Sequence, residues 1–195
     1  MNLTDTHCHL YWHKFDEDRD AMIQRAIKSG VTKMLVPGTT LETSQQAIEL
    51  AEKYEQVYAA VGVHPTDAET FSEKITDALF KLAEHEKVVA IGEIGLDYYW
   101  VKESEKQKAQ KRILNSQVQM AEALNKPLVI HLRESNDAVQ GPVFDDFFEL
   151  IAPWLEKWLH QDHALGAKPG VLHSFNGEQT LAHQAIQAGF RLGVT

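Results

Sequence analysis

Five histidines and one glutamate close apolar runs of the chain: His7, His9, His64, Glu93, His131 and His173. His7-Cys8-His9 carries two imidazoles two residues apart. On an extended strand, residues i and i+2 point to one side. Both rings can then grip one divalent cation while Cys8 turns away into packing. Taken alone, the pair reads more simply as polar residues closing a strand. Asp5, on the same face, either orients a histidine or is a solvated residue at the start of the strand. Glu93 follows Val88-Val89-Ala90-Ile91-Gly92, where a carboxylate is costly to bury unpaired. It is either a salt-bridged glutamate in a turn or, on the sharper reading, a carboxylate bridging two metal ions ~3.5–4 Å apart. His131 ends Leu128-Val129-Ile130, and His173 ends Gly170-Val171-Leu172. Each alone is more simply a core histidine. With Glu93 they supply a second nitrogen-and-oxygen metal site. Arg133 either pairs with a substrate phosphate or is an ordinary rim arginine. Asp97 and Tyr98, in the loop after Glu93, line the site on this reading. The run Tyr98-Tyr99-Trp100 either stacks with a nucleotide or packs against its loop.

These residues need strands to carry them. Apolar, β-rich runs at 3–9, 31–36, 57–63, 88–93, 128–131, 170–173 and 191–194 alternate with stretches of helical period. Continuous apolar runs are how parallel strands buried on both faces read. Ile75, Ala78, Leu79, Leu82 and Ala83 form one buried helical stripe, as do Ala47, Leu50, Ala51 and Tyr54. Thr43 and Gln46 have the spacing of a capping box. Gly30 and Gly189 stand where helices end. The stretch 104–123 reads as an exposed helix with one apolar edge. The aromatic-rich stretch 143–159 reads as helix-on-sheet packing, kinked or divided at Pro153. Strand, helix, strand, repeated, means a parallel α/β fold, either an open doubly wound sheet or a barrel. In a barrel the strand C-termini converge on the face where active sites are built. A complete barrel has eight strands and usually ~250 residues, so this chain is short by one unit. No Gly-x-Gly-x-x-Gly follows the first strand, which removes the main support for a dinucleotide site.

The chain has 195 residues, 44% of them apolar and 24% charged. That suits a single domain over residues 1–195 and excludes intrinsic disorder. No run approaches the ~18 apolar residues of a membrane span, and no signal peptide is visible. The one cysteine makes no internal disulfide, so a cytoplasmic location is expected. The net charge of −9 argues against a basic nucleic-acid coat and leaves room for an enzyme that meets phosphate through metal ions. His13, His85, His160, His163 and His183 read as solvated or capping residues. Cys8 reads as packing rather than as a nucleophile, and neither a Gly-x-Ser-x-Gly elbow nor a P-loop is present.

Thr4-Asp5-Thr6-His7-Cys8-His9-Leu10, Gly62-Val63-His64-Pro65, Gly92-Glu93-Ile94-Gly95-Leu96-Asp97, Pro127-Leu128-Val129-Ile130-His131 and Leu172-His173-Ser174-Phe175-Asn176-Gly177 together resemble the TatD family of metal-dependent hydrolases. The resemblance implies an amidohydrolase-like (β/α)8 TIM-type barrel. It implies two divalent ions (Zn, Mn or Mg): His7 and His9 on the first, His131 and His173 on the second, and Glu93 as the catalytic residue that bridges the two or ligates the first. His64 would contact substrate phosphate, with Arg133 and Asp97 as further substrate-binding residues. The implied activity is DNA phosphodiester hydrolysis, as a 3′-to-5′ exodeoxyribonuclease. Family members also carry an aspartate in a Glu-Thr-Asp-like motif on an eighth strand. This sequence stops at Gly193-Val194-Thr195, so that strand is expected to be missing from the chain, as in a fragment or a partner-completed form. The segment 134–168 is longer than the family's usual connection. The same metals could instead serve amide or ester hydrolysis, or the chain could be an inactive metal-binding module.

Overall fold

The computed structural model describes residues 2–194. Seven strands, β1 Leu3–Asp5, β2 Val31–Pro37, β3 Val57–Val61, β4 Val88–Asp97, β5 Leu128–Arg133, β6 Gly170–Leu172 and β7 Arg191–Leu192, form one sheet in sequence order. Every pairing is parallel. Parallel neighbours need crossovers, supplied by helices α1 Arg19–Lys28, α2 Leu41–Lys53, α3 Glu73–Ala83, α4 Ser104–Leu124, α5 Pro142–His160, α6 Ala164–Ala167 and α7 Gln179–Gln187. The main core lies between sheet and helices, where Val36, Val61, Ile91, Ile94 and Ile130 join Ile23, Ala47, Leu79, Val118, Phe147 and Trp158 in one buried cluster. A smaller cluster, Ala60, Ala90 and Val129 with Leu35 and Val171, lies apart from it.

The sheet curls as a TIM-type barrel does. His7, just past β1, stacks face to face on His173, just past β6, with ring centroids 3.8 Å apart. Leu3, Thr4 and Asp5 face Gly193 and Val194 across a cleft of about 490 Å³. Among the described residues β1 and β7 share no ladder. Thr195, read with the end of strand seven, lies outside the described residues.

Several boundaries differ from the sequence reading. The first strand stops at Asp5. The chain then runs on beside β2, held by the Cys8 N–H on the Leu35 carbonyl at 3.0 Å. β4 continues past Glu93 to Asp97, so Asp97 belongs to the strand and not to a loop. Pairing with β5 shifts between Ile91↔Leu128 and Ile94↔Ile130, three residues set against two. Gly92 and Glu93 occupy this bulge, and their peptide bond is cis. Bulges re-aim side chains, and this one turns Glu93 toward the histidines. α5 is continuous through Pro153, so the proline neither divides it nor ends it. Helix α2 is capped by Thr40 with Thr43 rather than by Thr43 with Gln46. Helix α4 is not merely exposed with an apolar edge, because Gln110 and Gln117 are buried in it.

The strands approach most closely at Gly95, whose φ is +147°. A Cβ there would lie 1.9 Å from the His131 carbonyl oxygen. Gly95→Ala is therefore expected to lower stability by about 2–4 kcal/mol, read as a fall in the urea midpoint.

Candidate metal centre

The C-terminal ends of five strands converge on Glu93. β4 carries it, β5 carries His131, and His7, His64 and His173 follow β1, β3 and β6. The carboxylate is 3% exposed, and its two oxygens divide the histidines between them. Oε2 lies 3.2 Å from His7 Nε2 and 3.4 Å from His9 Nε2. Oε1 lies 2.7 Å from His173 Nε2, 3.0 Å from His131 Nδ1 and 3.5 Å from His64 Nε2. Burial works to raise the Glu93 pKa. Hydrogen bonds from His131, His173, His64 and His7 outweigh it and hold the carboxyl well below the usual carboxylate range. Burial lowers the basicity of both strand-end rings on the Oε1 side. His173 drops to about 4 despite Glu93. For His131, Asp97 and Glu93 overcome burial and raise it to about 9.

The donor chemistry fits cations. His7 Nε2 and His9 Nε2 lie 3.1 Å apart and both face Glu93 Oε2. His131 Nδ1 and His173 Nε2 lie 3.2 Å apart and both face Oε1. One proton shared between the two nitrogens of a pair leaves the carboxylate oxygen beside them without a donor, whereas a divalent ion takes both lone pairs and the carboxylate oxygen.

Partners on the far side orient several of the rings. His9 Nδ1 meets the Tyr11 hydroxyl at 2.8 Å. His131 Nε2 meets Asp97 Oδ2 at 3.0 Å, which leaves Nδ1 as the ligating atom. For Asp97, burial acts to raise the pKa, but His131 and the Trp100 N–H win and lower it. His64 differs. It lies within ligand distance of Glu93 and His131, and its Nδ1 meets the Thr66 hydroxyl at 2.7 Å and the Thr66 N–H at 3.3 Å. A hydroxyl gives or takes a hydrogen bond, so His64 Nε2 can face the centre as a lone pair or as a donor.

The structure places the remaining candidates as follows. Arg133 grips Asp137 through Nε at 2.7 Å and Nη2 at 3.3 Å, with its guanidinium 3.8 Å from the Tyr99 ring centre. Asp5 accepts the His7 backbone N–H at 3.0 Å, fixing the chain rather than an imidazole. Cys8 Sγ donates to the Leu35 carbonyl, and burial, reinforced by Asp5, pushes its thiol up. That thiol is no nucleophile at neutral pH. His163 caps α6 through the Leu165 N–H, and His85 and His160 face Glu52 and Glu156.

Three positioning residues were missed in the sequence: Tyr11, Gln110 and Gln117. The two glutamines lie seven apart on one face of α4, and both are buried. Gln117 Oε1 accepts the Val63 N–H at 2.7 Å, and its Nε2 donates to the Val63 carbonyl at 3.1 Å. Gln110 Oε1 accepts the Asp97 N–H at 3.0 Å, and its Nε2 donates to the carbonyls of Pro65 and Asp97 at 3.1 and 3.2 Å. One helix thus holds the backbone on both sides of His64 and at Asp97. The signal was two glutamines at i and i+7, beside Leu114 and Val118 on a stripe that should be apolar.

A model of the TatD related DNase family matches residues 4–195. The chain belongs to that family. It is 33% identical over 190 residues to the uncharacterized metal-dependent hydrolase YabD of Bacillus subtilis, covering 97% of this chain and 67% of that protein. It is 33% identical over 183 residues to the 3′-5′ ssDNA/RNA exonuclease TatD of Salmonella typhimurium, covering 93% and 63%. The crystal structure of the TatD homologue YjjV from Escherichia coli superposes with a TM-score of 0.78 at 32% identity, covering 97% and 66%. The chain therefore spans about two thirds of the length of the TatD relatives it matches.

Gln117→Leu tests the clamp that holds the TatD-type site from behind. It leaves the Val63 N–H and carbonyl buried without partners. The expected cost is about 2–4 kcal/mol in denaturant unfolding.

Proposed function

We propose that this protein is a divalent-cation-dependent phosphodiesterase that removes nucleotides from the 3′ end of single-stranded DNA. His7, His9 and Glu93 Oε2 would hold one ion, and His131, His173 and Glu93 Oε1 a second. The division of the histidines between the two Glu93 oxygens carries this reading. Family membership and the Salmonella relative's name as a 3′-5′ ssDNA/RNA exonuclease support it. Nitrogen and carboxylate donors suit Zn²⁺ or Mn²⁺ better than Mg²⁺. When bound, such an ion pair neutralises phosphate charge and makes water acidic enough to act as a nucleophile near neutral pH.

The chain's own residues do the rest. Glu93, kept ionised by the rings around it, bridges the two ligand sets. Asp97 holds His131 in the tautomer that ligates, and Tyr11 orients the His9 ring. His64 Nε2–H donates to a non-bridging phosphate oxygen, positioned from behind by Gln117 and Gln110. Arg133 stands toward the departing nucleotide, and the buried Asp97 acts there through His131 and the Trp100 backbone. A grip centred on ions needs no basic groove, which suits a chain of net charge −9. No helix among the described residues is long and apolar enough to cross a membrane. The free Cys8 favours a cytoplasmic location.

Chelation with EDTA should abolish cleavage of a 3′-labelled single strand, and added Mn²⁺ or Zn²⁺ should restore it. Glu93→Gln should lower the bound-ion count from two and reduce kcat at least about a hundredfold, the scale on which even outer-shell partners of a metal act. Cleavage that survives the chelator, or an ion count unchanged in Glu93→Gln, would overturn this reading.

A further inference from the structure

We propose that Tyr99 and Trp100, on the loop after β4, form a stacking platform for an unpaired nucleobase beside the metal centre. The proposal rests on the phosphodiesterase reading and names a contact that reading leaves open. Trp100 is 66% exposed, yet its backbone is tied to the site. Asp97 accepts the Trp100 N–H at Oδ1, 2.7 Å away, and holds His131 Nε2 with Oδ2 at 3.0 Å. One buried carboxylate thus fixes both a metal-facing ring and the start of the exposed loop.

The loop is pinned further. The Tyr98 N–H donates to the Arg133 carbonyl at 2.8 Å. The Ser135 hydroxyl donates to the Tyr98 carbonyl at 3.0 Å. Tyr99 meets Trp100 edge to face, with centroids 4.9 Å apart. The Arg133 guanidinium lies 3.8 Å from the Tyr99 centroid and 5.8 Å from that of Trp100, and Lys102 Nζ lies 5.5 Å from Tyr99. Arg133 is already committed to Asp137, so it stiffens the platform more than it seeks phosphate. Lys102 supplies a cation beside it.

A pre-ordered aromatic surface edged by cations is what single-stranded nucleic acid sites use, because every base offers a π-face and the backbone seeks positive charge. The occupant is an unpaired base. In a duplex both faces of a base are taken by its neighbours.

The test measures binding separately from turnover. A fluorescent, nuclease-resistant phosphorothioate oligothymidylate is titrated with the wild type, Trp100→Ala and Trp100→Phe. Circular dichroism and ion count serve as controls that should not change. Affinity should fall roughly five- to a hundredfold in Trp100→Ala and recover largely in Trp100→Phe. In a series of strands carrying one abasic residue each, one position should weaken the wild type by the same factor and leave Trp100→Ala unaffected. Equal affinity of wild type and Trp100→Ala, no such position, or no single-strand binding by the wild type overturns the platform. Binding that depends on Trp100 without cleavage of the ordinary diester overturns the phosphodiesterase reading alone. Cleavage whose KM ignores Trp100 overturns the platform alone.

Discussion

A carboxylate taken out of water must be surrounded by donors or cations, or it will not stay charged. Glu93 meets this demand with four histidines that follow or lie within different strands, joined by His9. Each of those strands must therefore end at the same height and on the same side of the sheet. A parallel sheet curled on itself does this by construction, since its strand C-termini converge on one face. The burial cost at Glu93 and the barrel-like curl are thus two sides of one constraint. The curl brings the donors to the carboxylate, and the carboxylate draws ring nitrogens that would otherwise repel each other's lone pairs.

The rest of the fold serves the accuracy of that convergence. The bulge at Gly92-Glu93 lets β4 turn the carboxylate inward without breaking the ladder on either side. Gly95 lets β4 and β5 run close enough for Asp97 to reach the far nitrogen of His131. Gly62 leaves room behind β3, where a Cβ would come within 3.2 Å of Gln117 Oε1. Through that gap Gln117 takes both polar groups of Val63. Neither buried glutamine adds apolar packing. Gln117 spends its amide on Val63, where the chain has left β3, and Gln110 spends its own on Pro65 and on Asp97 at the end of β4.

Much of this was legible in the sequence because strand-end chemistry leaves a simple trace. An apolar run that stops at a histidine or glutamate, repeated strand after strand, marks the C-terminal face directly. That the sheet is parallel followed from alternation alone, while its barrel-like order, rather than a doubly wound one, followed from the family resemblance. The geometry within the runs was less legible. The extra residue at Gly92-Glu93 is invisible to period counting, so β4 looked to end at Glu93 and Asp97 looked like loop. Pro153 has the local signature of a break, yet the buried face of Phe147, Ile151 and Trp158 carries α5 through it. Gln110 and Gln117 fell within a helix read as mostly exposed; their place on its apolar stripe marks them as buried, but their partners are backbone groups far along the chain. The match of Thr43 with Gln46 lost to Thr40 because Thr40, not Thr43, is the last residue in extended conformation.

The first strand and the sixth meet through the same centre. His7 comes off β1 and His173 off β6, and their rings lie face to face at 3.8 Å above the cleft that separates β1 from Gly193 and Val194. Their Nδ1 atoms are buried and find no partner among the described residues. Stacked imidazoles without partners for those atoms make a weak joint, since a buried polar group left unpaired costs stability. Both rings also reach Glu93, one through each carboxylate oxygen. Ions held by the two ligand sets would therefore couple the chain after β1 to β4, β5 and β6 in one coordination unit. Binding energy at such a site is partly folding energy, and it would act on all of these strands together.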